Sequence, residues 1–121
     1  FFRVCSLHNM PGACGKSEFI SIMSAKNAVD ARAFNALQDY GKSCLSGFLG
    51  LGGINADCMT PKVEQLLGVG SSCANCFVDG AKCTFSNCKL ACGISGIKSE
   101  KCMNCVDTHC TPGIVGCTMG I

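Results

Sequence analysis

The chain is short of charge, of aromatic rings and of long apolar runs, and each shortage removes a class of function. Charged residues make up 15% of it and the net charge is +2. Nucleic-acid binding needs a clustered basic face with rings to stack on bases. Here Lys and Arg are scattered, there is no Trp and there is one Tyr, so no nucleic-acid partner is expected. The longest apolar run, Leu45 to Ile54, is broken by Ser46, Gly47, Gly50, Gly52 and Gly53. It is about half the ~20 residues that a membrane span requires, and the mean hydropathy of +0.33 is inflated by cysteine. No transmembrane span is expected. β-Branched residues never alternate over a strand length, which argues against a substantial sheet. Only two histidines occur, His8 and His109. Imidazole can ligate a metal or a pigment, but nothing in their spacing points there, and both read as surface or partly buried residues. The chain begins at Phe1 without Met and carries no signal-like segment. It reads as a processed form or part of a longer precursor, which leaves export open.

Against these shortages stands one excess. Thirteen of 121 residues are cysteine, a density that marks a disulfide scaffold and an oxidising compartment. From Cys73 the last nine run C-x2-C-x6-C-x4-C-x3-C-x9-C-x2-C-x4-C-x6-C to Cys117. All thirteen are disulfide candidates: Cys5, Cys14, Cys44, Cys58, Cys73, Cys76, Cys83, Cys88, Cys92, Cys102, Cys105, Cys110 and Cys117. An odd number leaves at least one free, joined to another chain, or paired outside this segment. Connectivity stays open, because spacing alone does not choose among the many possible pairings.

Helix signals dominate the rest. Residues 1–16 read as an irregular arm punctuated by Pro11, Gly12 and Gly15, with Cys5 and Cys14 spaced to tie it down. Ser17 followed by Glu18 can open a short buried helix to Met23. Asn27–Tyr40 is the best helical pattern, with Asn27 as cap, Gly41 as left-handed terminator and an inward stripe of Val29, Ala33, Ala36, Leu37 and Tyr40. A glycine-rich connector follows. Thr60 as cap with Pro61 at the first position predicts a helix ended by Gly68. Ser71–Lys82, Ser86–Ala91 and Ser99–His109 are further helical candidates. Cys73-Ala-Asn-Cys76-Phe-Val-Asp79 is echoed by Cys102-Met-Asn-Cys105-Val-Asp107, with Cys83 and Cys110 following, which suggests a pseudo-symmetric helical pair. Two segments result: 1–57 with the arm, the helix at 27–40 and the connector, and 58–121 as a cysteine-rich helical module.

Chemical motifs do not assemble. The pairs Cys73-x2-Cys76 and Cys102-x2-Cys105, joined as C-x2-C-x25-C-x2-C, approach zinc-ribbon spacing. A zinc site would leave the intervening cysteines idle, however, and cysteines at i and i+3 on a helix suit bridges to two neighbours. Cys102-x2-Cys105 precedes Val106, so the haem attachment C-x-x-C-H is missing. Gly15-Lys16-Ser17 resembles the end of a P-loop whose first glycine would be Met10. Cys73-x9-Cys83 and Cys92-x9-Cys102 share the spacing of twin C-x9-C hairpins, but Gly93, Ser95 and Gly96 interrupt the second. No catalytic residue is assigned and no metal site is expected.

The pattern Ser72-Cys-Ala-Asn-Cys-Phe-Val-Asp79, Asn87-Cys88, Cys102-x2-Cys105-Val-x3-Cys110-Thr-Pro112 and Gly116-Cys117-Thr118 resembles cysteine-rich modules common in dinoflagellate and related algal proteins. The resemblance covers about residues 58–118. It implies an algal origin and a disulfide-bonded, non-catalytic module. In such algae the thylakoid lumen is an oxidising space where small extra subunits brace photosystem and antenna complexes.

The expectation is therefore a small, mostly α, disulfide-rich fold of short helices and long loops. It acts as a non-enzymatic structural or interaction subunit, in its most concrete form a lumenal auxiliary subunit of an algal photosystem–antenna supercomplex. The alternatives are a secreted disulfide-rich effector or surface protein, and a zinc-binding or redox C-x2-C protein. Phe1, Phe2, Phe48, Leu49 and Leu51, in segments too irregular for reliable core, are the interaction candidates. Protein subunits of a larger complex would be the partners. No cofactor of its own is expected, only peripheral contact with a partner's chlorophyll, carotenoid or lipid, at a position peripheral to a membrane.

Overall fold

The computed structural model describes residues 12–28, 39–47, 52–96 and 99–120. Most of the expected helix at 27–40, the arm through residue 11 with Cys5 and His8, and Phe48, Leu49 and Leu51 lie outside the described residues. The elements in chain order are α1 (Lys16–Ala28), β1 (Leu45–Ser46), β2 (Gly53–Ile54), α2 (Ala56–Leu67), α3 (Ser71–Asn87), α4 (Lys89–Ser95), α5 (Glu100–His109) and α6 (Thr111–Met119). The strands form one antiparallel pair, Leu45 opposite Ile54. The mostly-α, disulfide-rich class is as the sequence predicts.

Helix boundaries follow capping chemistry, with four corrections. Asn27 falls inside α1 rather than ahead of a helix start. Residues 39–43 are helical through Gly41, which ends no helix there. Gly41 is instead buried where an added Cβ would meet Ile54, Ala81 and Met59 at 3.8–4.0 Å. Helix α2 starts at Ala56 because the Asn55 side chain accepts the Cys58 N–H, and Thr60-Pro61 falls inside it. Pro61 removes one backbone bond, to the carbonyl of the exposed residue Asp57. Helix α6 goes unread in the sequence, where Thr111-Pro112-Gly113 resembles a turn, yet Pro sits in its first turn. Gly68 ends α2 in the left-handed region at φ 67° as expected, and the helix expected over Ser99–His109 is α5, whose cap is Ser99, accepting the Cys102 N–H.

Helix α3 is the hub, packed against α2 on one side and α5 and α6 on the other. The aliphatic core gathers Met59, Val63 and Leu67 of α2 with Ala74 and Val78 of α3 and Cys44. Ile22, Tyr40 and Ile54 pack onto it, so Tyr40 is the one member of the expected stripe that is placed. Beyond Val78 the largest fully buried side chains among the described residues are cysteines: Cys88, Cys102 and Cys110. That half has sulfur where a larger domain has Leu and Ile, which is why it needs covalent bracing.

Glu18 ties α1 to the hub. Its two carboxylate oxygens accept the N–H of Gly15 at 2.8 Å and of Gly70 at 2.7 Å. Gly15 immediately precedes α1, and Gly70 caps α3 with no side chain to offer. One carboxylate thus completes a capping-box bond in its own helix and caps a second.

Candidate functional site

The six disulfides are Cys14–Cys73, Cys44–Cys58, Cys76–Cys117, Cys83–Cys110, Cys88–Cys105 and Cys92–Cys102. They use every cysteine except Cys5. The last four are concentric. Outward from the turn after α4, one side passes through Cys92, Cys88, Cys83 and Cys76 in steps of i−4, i−5 and i−7. The other passes through Cys102, Cys105, Cys110 and Cys117 in steps of i+3, i+5 and i+7. Steps of three, four and seven keep successive sulfurs on one helical face. Steps of five do not, and they fall where helices break: Cys88 separates α3 from α4, and Cys110 separates α5 from α6. The result is a helical hairpin, α3–α4 against α5–α6, with four covalent rungs.

The two C-x2-C pairs serve different neighbours. Cys73 holds the segment before α1, which also lies along the end of α6: Ala13 N–H donates to Cys117 O at 2.9 Å and Cys14 N–H to Thr118 O at 3.3 Å. Cys76 reaches α6, Cys102 reaches α4, and Cys105 reaches the α3–α4 junction. The internal repeat places its motifs on α3 and α5, and its two downstream cysteines, Cys83 and Cys110, bond to each other. Among the described residues no group of three His, Cys, Asp or Glu side chains is placed to hold a metal. Cys14–Cys73 and Cys44–Cys58 cross between segments 1–57 and 58–121.

Beside the Cys83–Cys110 rung lies an open groove of about 410 Å³, lined by Asp79, Lys82, Ser86, Asn87, His109 and Ile114, among others. Partial burial pushes the Asp79 carboxyl above the usual carboxylate range, opposed by the nearby Lys82 ammonium. Gly80 forms part of the wall because Ile114 fills its face; an added Cβ would sit 2.5 Å from Ile114 Cδ1. Ser86 and His109 are exposed. Asp107, just ahead of His109 in sequence, instead accepts the Thr111 hydroxyl at 3.0 Å. Among the described residues no hydrogen bond joins Asp79, Ser86 and His109 into a nucleophile–base–orienter set.

Of the interaction candidates, Phe1, Phe2, Phe48, Leu49 and Leu51 all lie outside the described residues. The structure adds two that the sequence reading missed: Leu90 and Ile94, exposed by 73% and 81% on α4. Their signal was an i, i+4 apolar pair opposite Cys88 and Cys92, overlooked because the expected helix ended at Ala91. No helix among the described residues is long and apolar enough to cross a membrane. Comparison with protein families, with curated proteins and with solved structures finds no match to this chain.

Proposed function

We propose that the protein is a non-enzymatic structural subunit that binds other proteins through its surface. In its most concrete form it is a lumenal auxiliary subunit bracing an algal photosystem–antenna supercomplex. The observation that carries the reading is the covalent ladder. Twelve of the thirteen cysteines are spent on rigidity, and the polar groups of the groove are not assembled for turnover. A preorganised surface loses little freedom on binding, which is what a bracing element requires. The oxidising compartment follows from the bridges; the thylakoid lumen is the compartment that the algal resemblance favours. The arm 1–16 and the glycine-rich segment 45–54 are the docking elements, with Phe1, Phe2, Phe48, Leu49 and Leu51 as contacts to subunits, or to the chlorophyll, carotenoid or lipid they hold.

The test is size fractionation of a native, non-reducing extract of the source organism, followed by mass spectrometry of the fractions containing this chain. Migration with a large complex, lost on deleting Phe1 and Phe2, is expected. Migration as a free monomer would refute the subunit reading and favour a secreted effector.

A further inference from the structure

We propose that the Cys83–Cys110 rung is a site of covalent modification by small-molecule thiols, with Cys83 as the sulfur that takes the thiol and Cys110 as the sulfur released. The inference stands on this rung and its groove and does not depend on the subunit reading. Thiol–disulfide exchange needs access to one sulfur, surroundings that favour an incoming thiolate, and a partner sulfur that leaves readily. Both cysteines of the rung line the open groove of about 410 Å³, within the range of about 300–1,000 Å³ that suits a small molecule. Cys83 is half-buried and Cys110 is 2% exposed, so access selects Cys83. By contrast, Cys14–Cys73, Cys76–Cys117 and Cys92–Cys102 have both cysteines buried.

Chemistry selects the same direction. The Asn87 side-chain amide donates to Cys83 Sγ at 3.4 Å, and the exposed Lys82 and His109 line the groove beside it. An amide N–H and an ammonium group both draw in a thiolate. Asp79, the acidic side chain among the lining residues, is opposed by Lys82. Cys110 is the N-cap residue of α6, where no side-chain cap bond is made. A thiolate released there lies at the positive end of a nine-residue helix, which makes it the better leaving group. Two other bridges have a half-buried member. Attack on Cys58 would release Cys44, at the C-terminal end of helical residues 39–43, the wrong end for an anion. Attack on Cys105 would release Cys88 ahead of the shorter, seven-residue α4, and Cys105 Sγ lies 3.7 Å from the Asn87 carbonyl oxygen, which repels a thiolate.

In the exchange the incoming thiolate bonds to Cys83 Sγ and the Cys83–Cys110 bond breaks. Its electron pair leaves on Cys110, which takes a proton from water. The small thiol is oxidised to one half of a mixed disulfide, and Cys110 is reduced to a thiol. A second thiol attacking the mixed disulfide would free Cys83, whose S–H then has an acceptor in the His109 carbonyl oxygen 3.4 Å away. The flanking rungs Cys76–Cys117 and Cys88–Cys105 keep the hairpin closed throughout.

The experiment exposes the full oxidised chain to a limiting amount of reduced glutathione, a tripeptide thiol, then alkylates the freed thiols and maps both labels. The first product expected carries glutathione on Cys83 and the alkyl group on Cys110. Its other five bridges are intact and its circular dichroism spectrum is unchanged. Asn87→Asp and Lys82→Glu each set a carboxylate at the entry and should slow the adduct about threefold to tenfold, while slower attack at Cys44–Cys58 keeps its rate. The same bridge map, taken before glutathione is added, shows that each variant folds. First attack at Cys44–Cys58 or Cys88–Cys105, an adduct on Cys110, several bridges opening together, or a rate at Cys83 that neither variant lowers would overturn the proposal.

Discussion

Removing the Glu18 carboxylate should loosen two helices at once. Each of its oxygens accepts one cap N–H, from the nearby Gly15 and from the distant Gly70. A hydrogen bond to an ionised group contributes about 1.5–3 kcal/mol when both partners are shielded. Both donors here belong to exposed glycines that water can reach, so about 1 kcal/mol each is the better figure, in line with loss of an N-cap. Glu18→Ala should then destabilise the oxidised protein by about 2 kcal/mol. In a chain of this size each kcal/mol moves Tm by about 3–6 °C, so a fall of about 6–12 °C is expected in a calorimetric scan without reductant. Glu18→Gln keeps one acceptor but turns an amide N–H₂ on the other donor, and should lose at least half as much. Amide exchange should quicken at both Gly15 and Gly70 in the Ala variant. A Tm within about 1 °C of the parent, or faster exchange at only one of the two glycines, would refute the double-cap account.

Three further outcomes follow from the geometry. Alkylation without reductant should label none of the twelve bridged cysteines, and peptide mapping should return the nested pairs; label on Cys76 or Cys102 would break the ladder. Gly68→Ala should cost about 2–3 kcal/mol in chemical denaturation, from left-handed backbone strain at φ 67° and a Cβ 2.5 Å from the Ser21 hydroxyl that donates to Leu67 O; a cost below about 0.5 kcal/mol would refute it. The raised Asp79 carboxyl means the native state holds that proton more tightly than the unfolded chain does. Its contribution is therefore present below the ordinary carboxylate range and is lost as pH rises through the elevated folded value. Asp79→Asn should flatten that part of the Tm–pH profile and raise Tm at neutral pH; a steeper profile would show that Lys82 attraction outweighs burial.

The sequence exposes the stop at Gly68 and the start at Ser99 because each is local chemistry: a residue free to adopt positive φ, and a hydroxyl one turn ahead of an N–H. Asn55 was equally local, but Thr60-Pro61 offered a competing start, and a proline within a helix is tolerated when the carbonyl it frees is at the surface. The bridge pairing was also legible and went unread. The spacings x6, x4, x3, x9, x2, x4, x6 from Cys76 to Cys117 are nearly palindromic, as a hairpin folded about its centre demands. The eye is drawn instead to the repeated C-x2-C, a translational pattern that helical i, i+3 geometry produces wherever two sulfurs share a face. What no local rule supplies is Cys14–Cys73 or the Glu18–Gly70 bond, since both join points far apart in sequence. The exposed pair on α4 was missed for another reason: Leu90 and Ile94 follow an amphipathic period, and only the packing tells which face is left to solvent.

The bridges also decide how the chain would come apart under a protease. Cys14–Cys73 closes one covalent ring and Cys76–Cys117 closes another, with the remaining four bridges inside one or the other. A single cut almost anywhere from Cys14 to Cys117 therefore leaves a nicked protein of unchanged mass apart from one water. A cut in the turn between α4 and α5 would leave its halves joined by four bridges. The exception is the stretch between Cys73 and Cys76, which no bridge spans. It lies within α3, where Ala74 is fully buried and the backbone is held in helical hydrogen bonds that a protease cannot thread. The one severable link in the covalent map thus lies in a helical turn of α3 that buries Cys73, Ala74 and Cys76, and separation of the chain into two pieces by a single cut requires that turn to open.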